Sequence, residues 1–225
     1  LGLLTRLDTN GYLLSEDMVL ALKASGIDQV GVSLDDPDSA AQDESRGLPG
    51  LYEKAVAGIR SLKRNGVGCY LSTCASQSLV REGKIERMIA LGRSLNVDYI
   101  RFLFPVCAGR WLARPEIRLR DAEKKRILEL MEPGFIYLES ATGEDVRNGY
   151  CSCLRRQFVY VSTRGEVQPC CYVPLSFGNV RRRPFSEIWT DVSDPLMKRL
   201  KEKKKYVRGR CAGCRWLDVC AGNFR

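Results

Sequence analysis

Short apolar runs and amphipathic stretches alternate through the first 104 residues, and this alternation restricts the fold more than any other feature. Leu3-Leu4-Thr5-Arg6-Leu7 reads as a strand that ends at the turn Thr9-Asn10-Gly11. Ser15 has the chemistry of an N-cap, with Glu16 and Asp17 in the first turn and Met18, Val19 and Leu22 as apolar positions. Gly26 closes that helix, and Gln29 to Leu34 is a second, β-branched strand. Asp35-Asp36-Pro37-Asp38 is loop. Tyr52 to Arg64 is a helix with Ala55, Val56, Ile59 and Leu62 on one face, stopped by Asn65-Gly66. Val67 to Thr73 is a third strand, Lys84 to Leu95 a third helix, and Tyr99 to Phe104 a fourth strand. Strand–helix units of this length build an α/β fold with a parallel sheet and helices outside.

In such folds ligands gather at the carboxyl ends of the strands. The polar residues there are Thr9-Asn10-Gly11, Ser33 with Asp35, Thr73, and the Phe104-Pro105 turn. Each is also an ordinary turn or strand-end residue, so the argument rests on their succession. Residues 106–150 read as a connector: Ala108-Gly109-Arg110 is loop, Asp121 to Met131 is a charged amphipathic helix, Pro133-Gly134 breaks it, and Gly143 to Gly149 is polar loop. The composition changes again near residue 150.

The chain has ten cysteines and no histidine. Histidine triads, histidine general bases and histidine metal ligands are thereby excluded within it. Seven cysteines follow residue 150. The sequence shows no export signal, so metal binding outranks a disulfide framework, and the expected compartment is the cytoplasm. Cys153 and Cys170 flank a hairpin: Gln157 to Ser162 is a strand, Thr163-Arg164-Gly165-Glu166 the turn, and Val167-Gln168-Pro169 the return. The hairpin brings its ends together, so these two thiols can share one metal. Cys211-X2-Cys214-X5-Cys220 packs three more thiols into ten residues. Spacing alone allows Cys-only zinc or an iron–sulfur cluster. Cys151 and Cys171 flank these positions and could replace them, whereas Cys69, Cys74 and Cys107 receive no role.

No apolar run approaches the length of a membrane span, so no membrane partner is expected. The net charge is +9, and Arg181 to Arg210 holds eleven Lys and Arg against four Asp and Glu. A solvated helix face accounts for that run more simply than nucleic acid binding, so nucleic acid is not an expected partner.

In order along the chain, these motifs resemble the radical S-adenosylmethionine superfamily, in the branch with a C-terminal SPASM or twitch domain. Thr9-Asn10-Gly11 is similar to its TNG turn, Val32-Ser33-Leu34-Asp35 to its SLD strand end, and Arg46-Gly47 to its RG pair. Pro105 with Gly109-Arg110 is similar to the P-x-x-x-G-R segment after its sixth strand. Gly165-Glu166-Val167-Gln168-Pro169-Cys170, Gly178-Asn179-Val180 and Glu187-Ile188-Trp189 are similar to the auxiliary-cluster hairpin and the segment after it. Cys211-X2-Cys214-X5-Cys220 is similar to the closing knuckle.

The resemblance implies a partial (β/α)6 barrel, with strands 3–6 present, followed by a small β-hairpin-plus-helix domain that binds a cluster. The implied domains are 1–110 for the barrel part, 111–149 for the linker and helix, and 150–225 for the SPASM or twitch-like auxiliary [4Fe–4S] domain. It also implies S-adenosylmethionine, a catalytic [4Fe–4S] cluster in the full-length protein, and a 5′-deoxyadenosyl radical that takes hydrogen from a peptide, tetrapyrrole or other cofactor precursor. An electron donor such as flavodoxin or ferredoxin is implied as a partner, beside the small-molecule or peptide substrate. The C-x3-C-x2-C and GGEP segments of the family do not occur, and residue 1 falls before the family's third strand, so the chain is expected to be a fragment. Where full SPASM domains carry a further Cys, this chain has Phe224, so one auxiliary cluster is expected rather than two.

Carried over by motif, Ser33 and Asp35 hydrogen-bond the ribose or neighbouring waters, and Arg46 pairs with the carboxylate of S-adenosylmethionine. Thr73 lines the pocket, Asn10 shapes its floor, and the backbone after Phe104 meets the adenine. Four of Cys153, Cys170, Cys211, Cys214 and Cys220 ligate the auxiliary cluster. Two competing readings remain: a Cys-only zinc module that contacts nucleic acid, and a non-catalytic iron–sulfur electron carrier.

Overall fold

The computed structural model describes residues 2–105, 113, 117–139, 158–171, 173–215 and 217. The chain divides into two compact units, Leu1–Ser140 and Ala141–Arg225.

The first unit is built on a five-stranded parallel sheet. Its strands are β1 (Arg6–Thr9), β2 (Gln29–Ser33), β3 (Gly68–Cys74), β4 (Tyr99–Leu103) and β5 (Ile136–Glu139). They lie side by side in chain order, each pairing in parallel with the next. Sequential order is how a barrel wall grows; a doubly wound sheet would reverse direction midway. The helices are α1 (Glu16–Ala24), α2 (Ser39–Arg46), α3 (Leu51–Arg64), α4 (Gln77–Arg81), α5 (Lys84–Ser94) and α6 (Asp121–Glu129).

Alternation along each strand sorts the side chains onto two faces. Val30, Val32 and Leu34, Cys69 and Leu71, and Ile100 and Phe102 form one buried layer with Ala55, Ile59 and Leu62 of α3 and Ile85 and Met88 of α5. Ile59 and Leu62 are completely buried, so cutting either to Ala costs about 2–5 kcal/mol. The opposite phase carries Asp8, Gly31, Ser33, Tyr70, Ser72, Tyr99 and Arg101, which are mostly polar or aromatic.

Several elements depart from the sequence expectation. The ladder of β1 starts at Arg6, not Leu3, because Asp28 takes the Thr5 N–H at 2.6 Å and the Thr5 hydroxyl at 2.8 Å. Leu3 and Leu4 stay exposed. The loop after Asp38 contains α2, in which only Gln42 is buried. The expected connector contributes β5, which adds a fifth strand beside β4.

The second unit holds a small antiparallel sheet of β6 (Tyr160–Val161), β7 (Glu166–Gln168) and β8 (Gly178–Asn179). Tyr160 pairs with Gln168, as the hairpin reading requires. Asn179 donates to the Arg164 carbonyl at 3.0 Å and to Glu166 at 2.6 Å, which closes the hairpin turn. Hydrogen bonds from Ser176 and Asn179 hold the Glu166 carboxyl below its ordinary pKa. Three short helices follow, α7 (Phe185–Thr190), α8 (Pro195–Lys201) and α9 (Lys203–Tyr206). The core of this unit is Val167, Phe177, Ile188 and Met197, with Val159 and Trp189 against it.

Candidate functional site

Of the expected site residues of the first unit, Asn10, Ser33, Asp35, Thr73 and Phe104 stand at the carboxyl ends of β1 to β4, and Arg46 closes α2. Beyond β1, Thr9 accepts the Gly11 N–H at 3.1 Å and Asn10 accepts the Tyr12 N–H at 3.1 Å. Gly11 has φ +81°, and a Cβ there would lie 2.9 Å from the Ala55 Cα of α3. Only glycine allows this turn to press so closely on the helix.

Beyond β2, Asp35 is the hub. One oxygen, Oδ1, accepts the Cys74 N–H at 2.8 Å, which ties the loop to the end of β3. The other, Oδ2, is ion-paired with Arg46 at the last turn of α2. Arg46 can reach it because Gln42 folds the loop under α2. The buried Gln42 carbonyl oxygen accepts the N–H groups of Asp35 at 2.9 Å and Asp36 at 3.1 Å, and its amide donates to the Ser33 carbonyl at 3.4 Å. Lys84 then holds Asp36 at 2.9 Å, and Arg87 holds Asp38. Hydrogen bonding to Arg87 is the main cause that keeps the Asp38 carboxyl below its ordinary pKa.

Asp35 and Arg46 are thus brought into contact, with half-buried Ser33 two residues before Asp35. Thr73 is placed differently from the expectation of a pocket-lining residue. It is completely buried, and its hydroxyl donates to the Leu34 carbonyl at 2.7 Å, so it ties β3 to the end of β2. Strand phase is the reason: Thr73 shares the helix-facing side with Leu71, whereas Ser72 and Cys74 face the other way. Phe104 is half-buried against the core, and Gly109 and Arg110 lie outside the described residues. Burial pushes the Cys74 thiol up to about 11, so it stays protonated at neutral pH beside Asp35.

Sequence reasoning missed Gln42, whose amide shapes the loop, and the polar set Asp8, Tyr70 and Arg101 on the sheet face opposite the described helices. A polar residue in the inward phase of a parallel strand is the signal that points to that set.

In the second unit, Cys170 forms an antiparallel bridge with Val173. Cys211 ends a 3-10 turn, Gly209–Cys211, and the Cys214 N–H donates to the Cys211 carbonyl at 3.2 Å. Both thiols are exposed on one tight turn. Cys153 and Cys220 lie outside the described residues. Among the described residues no three Cys, Asp or Glu side chains gather as a metal cage. The donor set, thiols on a tight turn in a chain without histidine, fits a thiolate-held cluster.

Residues 151–215 match the SPASM family, described as an iron–sulfur cluster-binding domain. An AdoMet-dependent heme synthase of Methanosarcina barkeri is 30% identical over 98% of this chain and 69% of its own length. The chain belongs to the radical S-adenosylmethionine superfamily, in its SPASM branch. An Fe-coproporphyrin III synthase of the same organism is 32% identical over 100% of the chain and 64% of its own length. The chain therefore spans about two thirds of the length of the curated relatives it matches. Streptococcus suis SuiB bound to S-adenosylmethionine has the same fold, with a TM-score of 0.69 at 15% identity over 98% of this chain and 54% of that one. Among the described residues, no helix is long and apolar enough to cross a membrane.

Proposed function

We propose that the protein is a radical S-adenosylmethionine enzyme that modifies a tetrapyrrole precursor and carries an auxiliary [4Fe–4S] cluster in its second unit. When bound, S-adenosylmethionine and a reduced catalytic cluster supply a 5′-deoxyadenosyl radical that takes hydrogen from the substrate. The observation that carries this reading is the Arg46–Asp35 pair, held by Gln42 and Cys74 at the carboxyl end of parallel strands. A guanidinium and a carboxylate placed side by side offer a donor fork for a carboxylate and acceptors for ribose hydroxyls. Those are the polar groups of S-adenosylmethionine.

The chain's own residues bind and orient. Arg46 meets the carboxylate of S-adenosylmethionine, giving up part of its contact with Asp35, and Asp35 with Ser33 receives the ribose. Asn10 would shape the floor of the pocket, and the backbone after Phe104 would meet the adenine. Thr73 acts at one remove, by fixing the Leu34 carbonyl and with it the approach to Asp35. In the second unit, four of Cys153, Cys170, Cys211, Cys214 and Cys220 hold the auxiliary cluster. The choice of a tetrapyrrole follows the two Methanosarcina barkeri relatives, whose names are those of tetrapyrrole synthases. A flavodoxin or ferredoxin supplies electrons, and the protein works in the cytoplasm.

The test is anaerobic purification and reconstitution of the intact protein, followed by metal and sulfide analysis and incubation with S-adenosylmethionine and dithionite. Equal iron and acid-labile sulfide, with release of 5′-deoxyadenosine, are expected. Stoichiometric zinc without sulfide would replace this reading with the zinc module. A cluster without 5′-deoxyadenosine would replace it with the electron carrier. Turnover of a peptide but not of a tetrapyrrole would keep the chemistry and change the substrate.

A further inference from the structure

The face of the five-stranded sheet opposite the described helices carries a polar device that neither the strand-end site nor the cysteines use. Asp8, Gly31, Tyr70 and Tyr99 stand level across β1 to β4. Ser33, Ser72, Arg101 and Tyr137 stand level one step nearer the carboxyl ends, across β2 to β5. Arg101 Nη2 donates to Asp8 Oδ1 at 2.7 Å and to Ser72 Oγ at 3.0 Å. Its guanidinium carbon lies 5.0 Å from the centre of the Tyr70 ring. The Tyr70 hydroxyl donates to the same Asp8 oxygen at 3.0 Å. This arginine of β4 therefore meets a carboxylate from β1 and a hydroxyl and an aromatic face from β3.

Gly31 makes the arrangement possible. A Cβ at this position would collide with Asp8 Oδ1 and with the Tyr70 ring. An aromatic row continues across the same face. Tyr70 and Tyr99 stack at 4.7 Å with planes 7° apart, and Tyr99 meets Tyr137 edge-on at 5.1 Å. Tyr137 remains 49% exposed beside Arg101, while the Arg101 side chain is 18% exposed.

Stability is a weak reason for this device. Asp8 keeps half its side-chain surface in water, and an ion pair with such a partner contributes little. Preorganisation is the stronger reason. A guanidinium fixed in plane has already given up the rotamer freedom it would lose on meeting a ligand carboxylate. An exposed tyrosine ring beside it offers a surface for a flat conjugated molecule. The level of Ser33 joins this face to the strand-end site, since Ser33 lies two residues before Asp35.

We propose that Arg101, positioned by Asp8, Ser72 and Tyr70, binds a carboxylate of a planar tetrapyrrole substrate whose ring lies against Tyr137. This deepens the proposed function and rests on it. Asp8 is the positioning partner: its carboxylate sets the guanidinium plane and shares the cation with the incoming carboxylate. Both contacts lie within the first unit.

The experiment is an anaerobic absorbance titration of the intact, reconstituted protein with coproporphyrin III and with its methyl ester. The ester keeps the ring and removes the charges. Arg101→Gln is expected to weaken binding of the free acid about tenfold or more and to leave the ester unchanged. Arg101→Lys is expected to recover part of the loss, because the charge returns without the fork. Thermal unfolding of each variant, with S-adenosylmethionine binding, separates lost carboxylate recognition from lost structure. Equal weakening of acid and ester would overturn the proposal, as would free-acid binding that Arg101→Gln and Arg101→Lys leave untouched. Displacement of the porphyrin by a peptide would overturn the choice of ligand. Retained release of 5′-deoxyadenosine alongside any of these results confines the failure to this proposal, whereas its absence in the unaltered protein defeats the underlying reading.

Discussion

Arg46 and Asp35 form an ion pair in which the side chains keep 37% and 25% of their surface exposed. Pairs this wet contribute about 0–1 kcal/mol to stability. Thr73 is the opposite case, a fully buried hydroxyl given to a backbone carbonyl. The two positions therefore make opposite predictions. Arg46→Ala is expected to leave the thermal midpoint within a few degrees of the parent and to reduce S-adenosylmethionine affinity tenfold or more, since a charge-assisted contact worth about 1.5–3 kcal/mol is lost. Thr73→Val is expected to cost about 1–3 kcal/mol of stability through the stranded Leu34 carbonyl, with a smaller effect on affinity. Calorimetric titration and thermal unfolding on the same samples read both quantities. A large stability loss in Arg46→Ala with unchanged affinity would make that arginine a structural brace.

Between β2 and α3 the chain is shaped by one buried amide. Gln42 satisfies two loop N–H groups and reaches the Ser33 carbonyl, so Gln42→Leu leaves three backbone groups short of partners at nearly constant volume. A loss of about 2–3 kcal/mol in urea denaturation is expected, with faster hydrogen exchange at Asp35 and Asp36. A neutral substitution would mean that the loop is held by Lys84 and Arg87 instead. The same element shows why parts of the fold were legible and others not. In α3 the residues Ala55, Val56, Ile59 and Leu62 repeat at helical spacing and all are buried, so pattern and structure agree. In α2 a single polar residue is buried, and no apolar stripe exists for a pattern to find. β5 escaped because it is four residues long and offers only Ile136 and Leu138 to the core. At the site, Asp35 and Arg46 were legible because the motifs that carry them are contiguous. Asp8 stands 62 residues from Tyr70 and 93 from Arg101, so only the sheet register unites them.

The two units differ in how much apolar surface holds them together. Among the described residues, the first unit buries a cluster of 24 side chains and the second a cluster of four. Among its described residues the second unit packs around Val167, Phe177, Ile188 and Met197, and a metal or covalent tie adds most to the stability of small units. The second unit also carries the expected ligand thiols, with Cys211 and Cys214 on their exposed turn. Because ligand sites are not preformed in an unfolded chain, the free energy of cluster binding is also folding free energy for that unit. Removing iron with a chelator under anaerobic conditions is therefore expected to abolish hydrogen-exchange protection across β6, β7 and β8, including the Phe177 N–H that donates to Val167 at 2.8 Å. Amides of β2, β3 and β4, whose strands are flanked on both sides and packed under α3 and α5, are expected to keep their protection. Loss of protection in both units together would show that they unfold as one cooperative body. Protection retained in the second unit after complete iron removal would show that its apolar packing suffices alone, and the cluster would then serve chemistry without supporting the fold.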